Sequence, residues 1–442
     1  MQLSKNKKYQ YLFFSILTVY TIFNGGNSNL SIQINFILVC FLFLFCLKDK
    51  NYNAHLIKFY KNNQKSMLIY ILFIFYLLFQ IVPLPIETLK IFSPEKFKII
   101  SKFEGEISNS PISLAPSNSF FQILNYATLL IVLLIIKMIF YTDKHRIRFN
   151  LFLSFLGFIT SIIAITFYLN GNPDILIFKN SSYRNASTGF FINRTVFAVF
   201  LLFSLISSLE ILRYLQTKIS KKNDNFFLKI YVRLFIIFIT IGIITSFSRI
   251  GNFLFLITII FYLFNEYIFS KNKSSSIKYI IILILFIDIL ILGFYFGGSK
   301  IIDRFYFLKN EFAEIYSDDI YLSRIDIAKF SLVQLKNFLF FGYGPGSFEI
   351  LFQISYFDLR SLYANHAHSD IIEFIGEFGL VGSILIVLSS MIFFIKKNSY
   401  TFINMIIMSY IMIILFFDFS MHIPLIQIMI IIFLTLNKKK IS

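Results

Sequence analysis

Two cysteines, no tryptophan and few acidic residues set the first limits on this 442-residue chain. Cys40 and Cys46 lie inside one apolar segment, which excludes a disulfide framework and a cysteine-built metal site. There is no paired Cys/His zinc spacing, no lysine-bearing phosphate loop, no nucleophile elbow and no internal repeat. The lack of Trp beside 60 Phe reads as a compositional bias and carries no function. Acidic residues number 23 against 41 Lys and Arg, a net charge of +18. Such a surplus can mark a nucleic-acid partner, but the placement of the cations assigns it otherwise.

What is present is apolar. The chain is 57% hydrophobic with mean hydropathy +0.74, well above the roughly 45–50% of soluble domains. It reads as an all-α polytopic membrane protein. Segments long enough to cross fall near 9–24, 30–47, 67–83, 120–141, 149–169, 190–212, 227–247, 250–269, 278–297, 371–395, 401–419 and 422–436. That makes about twelve transmembrane helices. The first follows Lys5, Lys7 and Lys8 but lacks a small-residue cleavage pattern, so it reads as a retained helix.

With the N-terminus in the cytoplasm, every inner loop is basic: Lys48 to Lys65, Lys144 to Arg148, Arg213 to Lys229, Lys271 to Lys278, Lys396 and Lys397, and the tail Lys438 to Lys440. The short outer turns hold one cation, Arg249. The charge surplus is therefore mostly a topology signal, and both ends are expected inside. The organisation reads as helices 1–9 over residues 1–297, one large helical extracytoplasmic loop over 298–370, and helices 10–12 with a basic tail over 371–442.

A second outer segment, 84–119, has the composition of an irregular surface loop. Inside 298–370, Ile325, Ala328, Leu332, Leu335 and Leu339 recur at helical spacing and predict an amphipathic helix. A short helix from Glu349 to Arg360 is expected to lead on to the polar cluster.

That cluster is the most informative stretch. His366, His368, Asp370, Glu373 and Glu377 fall within twelve positions and run into an apolar span. Ser369 or Asp370 stands at the N-cap position, and the three carboxylates share one helical face. Titratable groups at the mouth of a membrane helix are expensive to place and point to function. A neutral imidazole near a helix N-terminus suits a general base, which singles out His368, with His366 secondary. The outward arginines are Arg184, Arg194, Arg249, Arg304, Arg324 and Arg360. Arg249, in Ser246-Phe-Ser248-Arg249, is confined to a very short turn. Gly342-x-Gly344-Pro-Gly346 offers backbone N–H groups to an anion or makes a tight turn. Asp418 lies at an outer helix end one turn from His422. Asp288 sits mid-span without a role. Glu104 with Glu106 and Asp318 with Asp319 read as loop solvation and capping rather than metal ligands.

Four ordered pieces resemble the O-antigen ligase and O-antigen polymerase superfamily: Gly189-Phe-Phe-Ile-Asn-Arg194 through Ala198; Ser246-Phe-Ser-Arg249; Ser323-Arg324 followed by Gly342 to Phe348; and Ala367-His368-Ser-Asp370 through Gly382. Phe417-Asp418-Phe419 and Pro424 resemble its C-terminal end. The common Asn after the hallmark His is Ser369 here. The resemblance implies a GT-C-like scaffold in a bacterial inner membrane, with its active site facing the periplasm. It implies glycan transfer from an undecaprenyl-type polyprenyl diphosphate to an acceptor hydroxyl, on lipid A core or on a growing glycan. Metal, other cofactors and nucleic acid are not implied; the surrounding partners are membrane lipids. It assigns His368, His366 and Arg249 to catalysis, and Arg194, Arg184, Arg324, Gly344, Gly346, Asp370, Glu373 and Asp418 to substrate. A flippase of lipid-linked glycans is the rival reading, and a protein-glycosylating or exopolysaccharide relative a third.

Overall fold

The computed structural model describes residues 2–102, 108–173, 183–217, 226–266, 279, 324–356, 363–395 and 401–436. The expected helix near 278–297 lies outside them, as do Asp288, Arg304, Arg360, Glu104, Glu106, Asp318 and Asp319.

The described chain is helical apart from a two-residue antiparallel pair, β1 (Leu84–Pro85) with β2 (Asn109–Ser110). The long helices are α1 (Gln2–Ile22), α2 (Asn29–Leu47), α3 (Lys50–Ile81), α6 (Pro116–Ile139), α7 (Asp143–Leu169), α8 (Arg194–Thr217), α9 (Phe226–Thr245), α10 (Arg249–Phe264), α13 (Asp370–Ile395), α14 (Phe402–Phe417) and α15 (Pro424–Leu436). Shorter ones are α4 (Ile86–Phe92), α5 (Pro94–Ile100), α11 (Arg324–Asn337) and α12 (Phe348–Ser355). Seven are long and apolar enough to cross a membrane, so this is a multi-pass membrane protein.

Helix α8 is the axis of the bundle: 89% of its apolar window is buried, and Phe197, Phe200 and Phe203 are fully enclosed. Small residues let its neighbours approach. A side chain at Gly157 would meet Ser204, one at Gly242 would meet Leu201 and Ser161, and one at Gly251 would meet Ala198. Close approach of this kind is how helices associate without a hydrophobic drive from lipid. Buried polar pairs add to it. Ser66 and Ser389 each donate to the other's carbonyl at 2.8 and 2.9 Å, joining α3 to α13, and Asn125 donates to Gln427 at 2.9 Å, joining α6 to α15.

Two expectations are corrected at one end of the bundle. The described residues of 84–119 are more ordered than an irregular loop, with α4, α5 and the strand pair. Lys96 is buried beneath them and donates to the carbonyls of Pro111 and Ser113 at 2.5 Å each. Burial holds its ammonium down to about 8. Helix α11 forms, but it buries Ile327, Ser331 and Gln334 and leaves Leu332 49% exposed. The apolar spacing found the helix and missed its face, because Phe330 and Phe338 are claimed by the aromatic cluster of Phe348, Phe352, Tyr343 and Tyr356.

Helix α13 is broken. Gly379 has φ 64 and ψ 179 inside it, which frees carbonyls just before the break. The turn after α11 satisfies them: Tyr343 N donates to Gly376 O at 2.9 Å and Gly344 N to Glu377 O at 3.1 Å. From α3, Gln80 Nε2 donates to Glu377 O at 3.1 Å and the Tyr76 hydroxyl to Phe378 O at 2.8 Å. Broken helices persist at membrane depth only when protein supplies such partners. The break fixes where the carboxylates of α13 point.

Candidate functional site

Helix α13 carries Asp370, Glu373 and Glu377 at three- and four-residue steps, so all three lie on one face. They are 0%, 2% and 1% exposed. The helix starts at Asp370, with Ser369 just before it. A residue left without a role by the sequence reading stands at their centre: His422, in the turn between α14 and α15. Its Nδ1 bonds Asp370 Oδ1, and its Nε2 lies 3.5 Å from Glu373 Oε1 and 3.5 Å from Glu377 Oε2. Its ring stacks on Phe374 at 4.1 Å.

The remaining oxygens are spoken for. Asp370 Oδ2 accepts from Met421 N at 2.8 Å, Glu373 Oε2 from Ala367 N at 2.7 Å, and Glu377 Oε1 from Gly346 N at 2.6 Å. The N–H groups of Gly344 and Gly346 thus donate within the protein, and the glycine turn is a joint between α11 and α13.

His366 and His368 part company. His366 Nδ1 lies 2.9 Å from Glu373 Oε1, and its ring stacks on Phe419 at 4.5 Å. His366 is the histidine that joins the carboxylates. His368 sits apart, edge-on to Phe419 at 5.5 Å. Its φ of +55 is a left-handed conformation that a non-glycine residue holds only under constraint. Burial first, then the charges of Arg324 and His366, hold it down to about 4, so it is neutral at neutral pH. Ser369 donates to Leu415 O at 3.3 Å and ties this loop to α14. Asp418 is 2% exposed and bonded by the Ser420 hydroxyl.

Arg194 and Arg249 are the first residues of α8 and α10, and Arg324 opens the described part of α11. Arg249 and Arg324 lie within electrostatic reach of Arg194, and Arg324 also reaches His368 and Asp418. The Ser-Arg turn is locally built. Ser248 caps α10 by accepting from Gly251 N at 3.1 Å and bonds Thr195 at 2.9 Å, which ties it to the start of α8. Phe247 takes φ +50 there. The Arg194 guanidinium lies 4.7 Å over the Tyr183 ring, and Arg184 beside it is exposed. At Arg194 and Arg249, which open α8 and α10, the positive dipole end and a forked guanidinium donor act with the same sign.

His366, Glu373 and His422 also bring one donor atom each within 4.8 Å of one another. Linear spacing could not show this set, because His422 lies on a different hairpin.

A comparison with protein-family models matches residues 234–388 to the family described as O-antigen ligase. The match runs from α9 into α13 and bears out the resemblance read from the motifs. No curated protein matches the chain.

Proposed function

On the premise that residues 234–388 are an O-antigen ligase segment, we propose that this protein transfers a glycan from a polyprenyl-diphosphate carrier to an acceptor hydroxyl. The reaction takes place at the outer face of the bacterial inner membrane and serves cell-surface polysaccharide synthesis. The observation that carries the reading is that Arg249 and Arg324 lie within electrostatic reach of Arg194, and that Arg324 also reaches His368 and Asp418. When the acceptor oxygen attacks the anomeric carbon, the bond to the diphosphate breaks and negative charge grows on the leaving group. Fixed cations aimed at that charge stabilise the transition state. Guanidinium forks match phosphate oxygens two at a time. The acceptor proton passes to His368, which is neutral and lies in reach of Arg324. The bond-breaking step uses no metal in this mechanism.

The test is transfer of a labelled glycan from its polyprenyl diphosphate in reconstituted membranes. Arg249→Lys keeps the charge and loses the fork, so transfer falls sharply. An Arg249→Ala protein that transfers at the wild-type rate would refute the assignment.

A further inference from the structure

The cluster behind His368 has a geometry that the transfer reaction does not use. We propose that His366, Glu373, Glu377 and His422 form a closed, structural binding site for a divalent transition ion of the zinc type. The donors are His366 Nδ1, Glu373 Oε1, His422 Nε2 and Glu377 Oε2.

The spacing fits. Donors about 2.0–2.2 Å from a zinc ion at tetrahedral angles are roughly 3.3–3.6 Å apart. His422 Nε2 stands in that range from Glu373 Oε1 and Glu377 Oε2, at 3.5 Å each. His366 Nδ1 to Glu373 Oε1 opens from 2.9 Å by a few tenths of an ångström on binding. The donor atoms of His366, Glu373 and His422 all lie within 4.8 Å of one another, with Glu377 completing the set. Orientation points to the same spot. Each glutamate spends one oxygen on a backbone N–H, of Ala367 or Gly346, and turns the other inward. His422 spends Nδ1 on Asp370. Carboxylates hold metal-binding histidines in this way, fixing the tautomer so that the far nitrogen faces the ion.

An independent sign is the far nitrogen itself. His422 is 7% exposed, and its Nε2 makes no hydrogen bond of ordinary length among the described residues, standing 3.5 Å from each of two carboxylate oxygens that a metal ion could share with it. Buried polar atoms are seldom left so. Charge adds a third. Three carboxylates at 2% exposure or less lie together at the mouth of an apolar helix. A divalent cation neutralises two of them and leaves Asp370 to the His422 N–H. Mixed imidazole and carboxylate donors suit zinc-type ions. Partly exposed His366 gives the route in from the outer surface.

Four protein donors leave no open position, which is the mark of a structural rather than a catalytic ion. The ion would pin α13 to the 418–422 turn and the 366–368 loop. The proposal stands apart from the transfer reading, since metal content is measured without any glycan.

The test uses the full chain, purified in detergent through a histidine-free affinity tag and without chelator, with elemental analysis by mass spectrometry. Wild type and His368→Ala are expected to carry roughly one zinc per chain, and His422→Gln and Glu373→Gln background levels. Cobalt provides a second reading that needs no variant: Co²⁺ added to metal-stripped wild type should give the strong visible absorption of a four-coordinate ion. Monodisperse wild type that holds no metal and takes up none from micromolar Zn²⁺ would overturn the proposal. So would stoichiometric zinc in His422→Gln and Glu373→Gln, or a weak six-coordinate cobalt spectrum.

Discussion

Replacing Gly342 by alanine tests the joint that aims the site. Gly342 has φ +71, and a Cβ built there lies 2.2 Å from Glu377 O and 2.6 Å from Gly379 N, both backbone atoms. Ordinary contact needs about 3.5 Å, so the turn and the broken helix must part by roughly 1 Å. The bonds from Tyr343 N to Gly376 O and from Gly344 N to Glu377 O, at 2.9 and 3.1 Å, do not survive that. Two such bonds are worth about 0.5–1.5 kcal/mol each, and the left-handed conformation adds about 1–2 kcal/mol for alanine. The expected loss is therefore about 2–5 kcal/mol. Gly346→Ala is the control. It has φ +68 and the same strain, but its nearest obstacle is the Gln122 side chain at 3.1 Å, which can yield. Its loss should stay near 1–2 kcal/mol. With no tryptophan to follow, unfolding is read by a thiol-reactive dye as fully buried Cys46 becomes accessible. Gly342→Ala should lower the apparent Tm by roughly 2–5 °C, clearly more than Gly346→Ala. Equal shifts in the two variants would refute the joint.

Two further outcomes bear on the chemistry. His368→Ala should lower turnover about 10²–10⁴-fold while binding of a labelled polyprenyl-diphosphate donor persists, because the arginines remain. Loss of donor binding in that variant would make His368 a phosphate ligand, and unchanged turnover would remove it from the reaction. Adding or withholding Mg²⁺ or Mn²⁺ should leave transfer unchanged, since guanidiniums meet the diphosphate. A rate that depends on either ion would put a metal at the reacting bond.

Much of the frame was legible because it follows from local pattern. Apolar runs located the long described helices to within a few residues, apart from the starts of α1, α3 and α7, which begin at Gln2, Lys50 and Asp143, ahead of the apolar runs expected from 9, 67 and 149. Helical spacing alone placed Asp370, Glu373 and Glu377 on one face. The confinement of Arg249 followed from the few residues between two apolar runs. The face of α11 was not legible: its apolar stripe and its buried stripe differ, and only the aromatic cluster beside it decides which is covered. His422 was not legible either. It stood near Asp418 in the chain without a visible partner, and its partners Asp370, Glu373 and Glu377 come from α13. The glycine motif kept two readings until the backbone showed its N–H groups donating to Glu377.

By itself the sequence determined that this chain is a bundle of membrane helices with a titratable cluster and scattered arginines. Hydropathy, period and turn length are properties of neighbours along the chain, so one strand of text contains them. Only the tertiary structure decided that three arginines from α8, α10 and α11 share one electrostatic neighbourhood, that His366 and not His368 joins the carboxylates, and that His422 stands among them. Those are distances between segments far apart in sequence. They depend on how α8 packs through its small-residue contacts and on where α13 breaks at Gly379, and no local pattern encodes either.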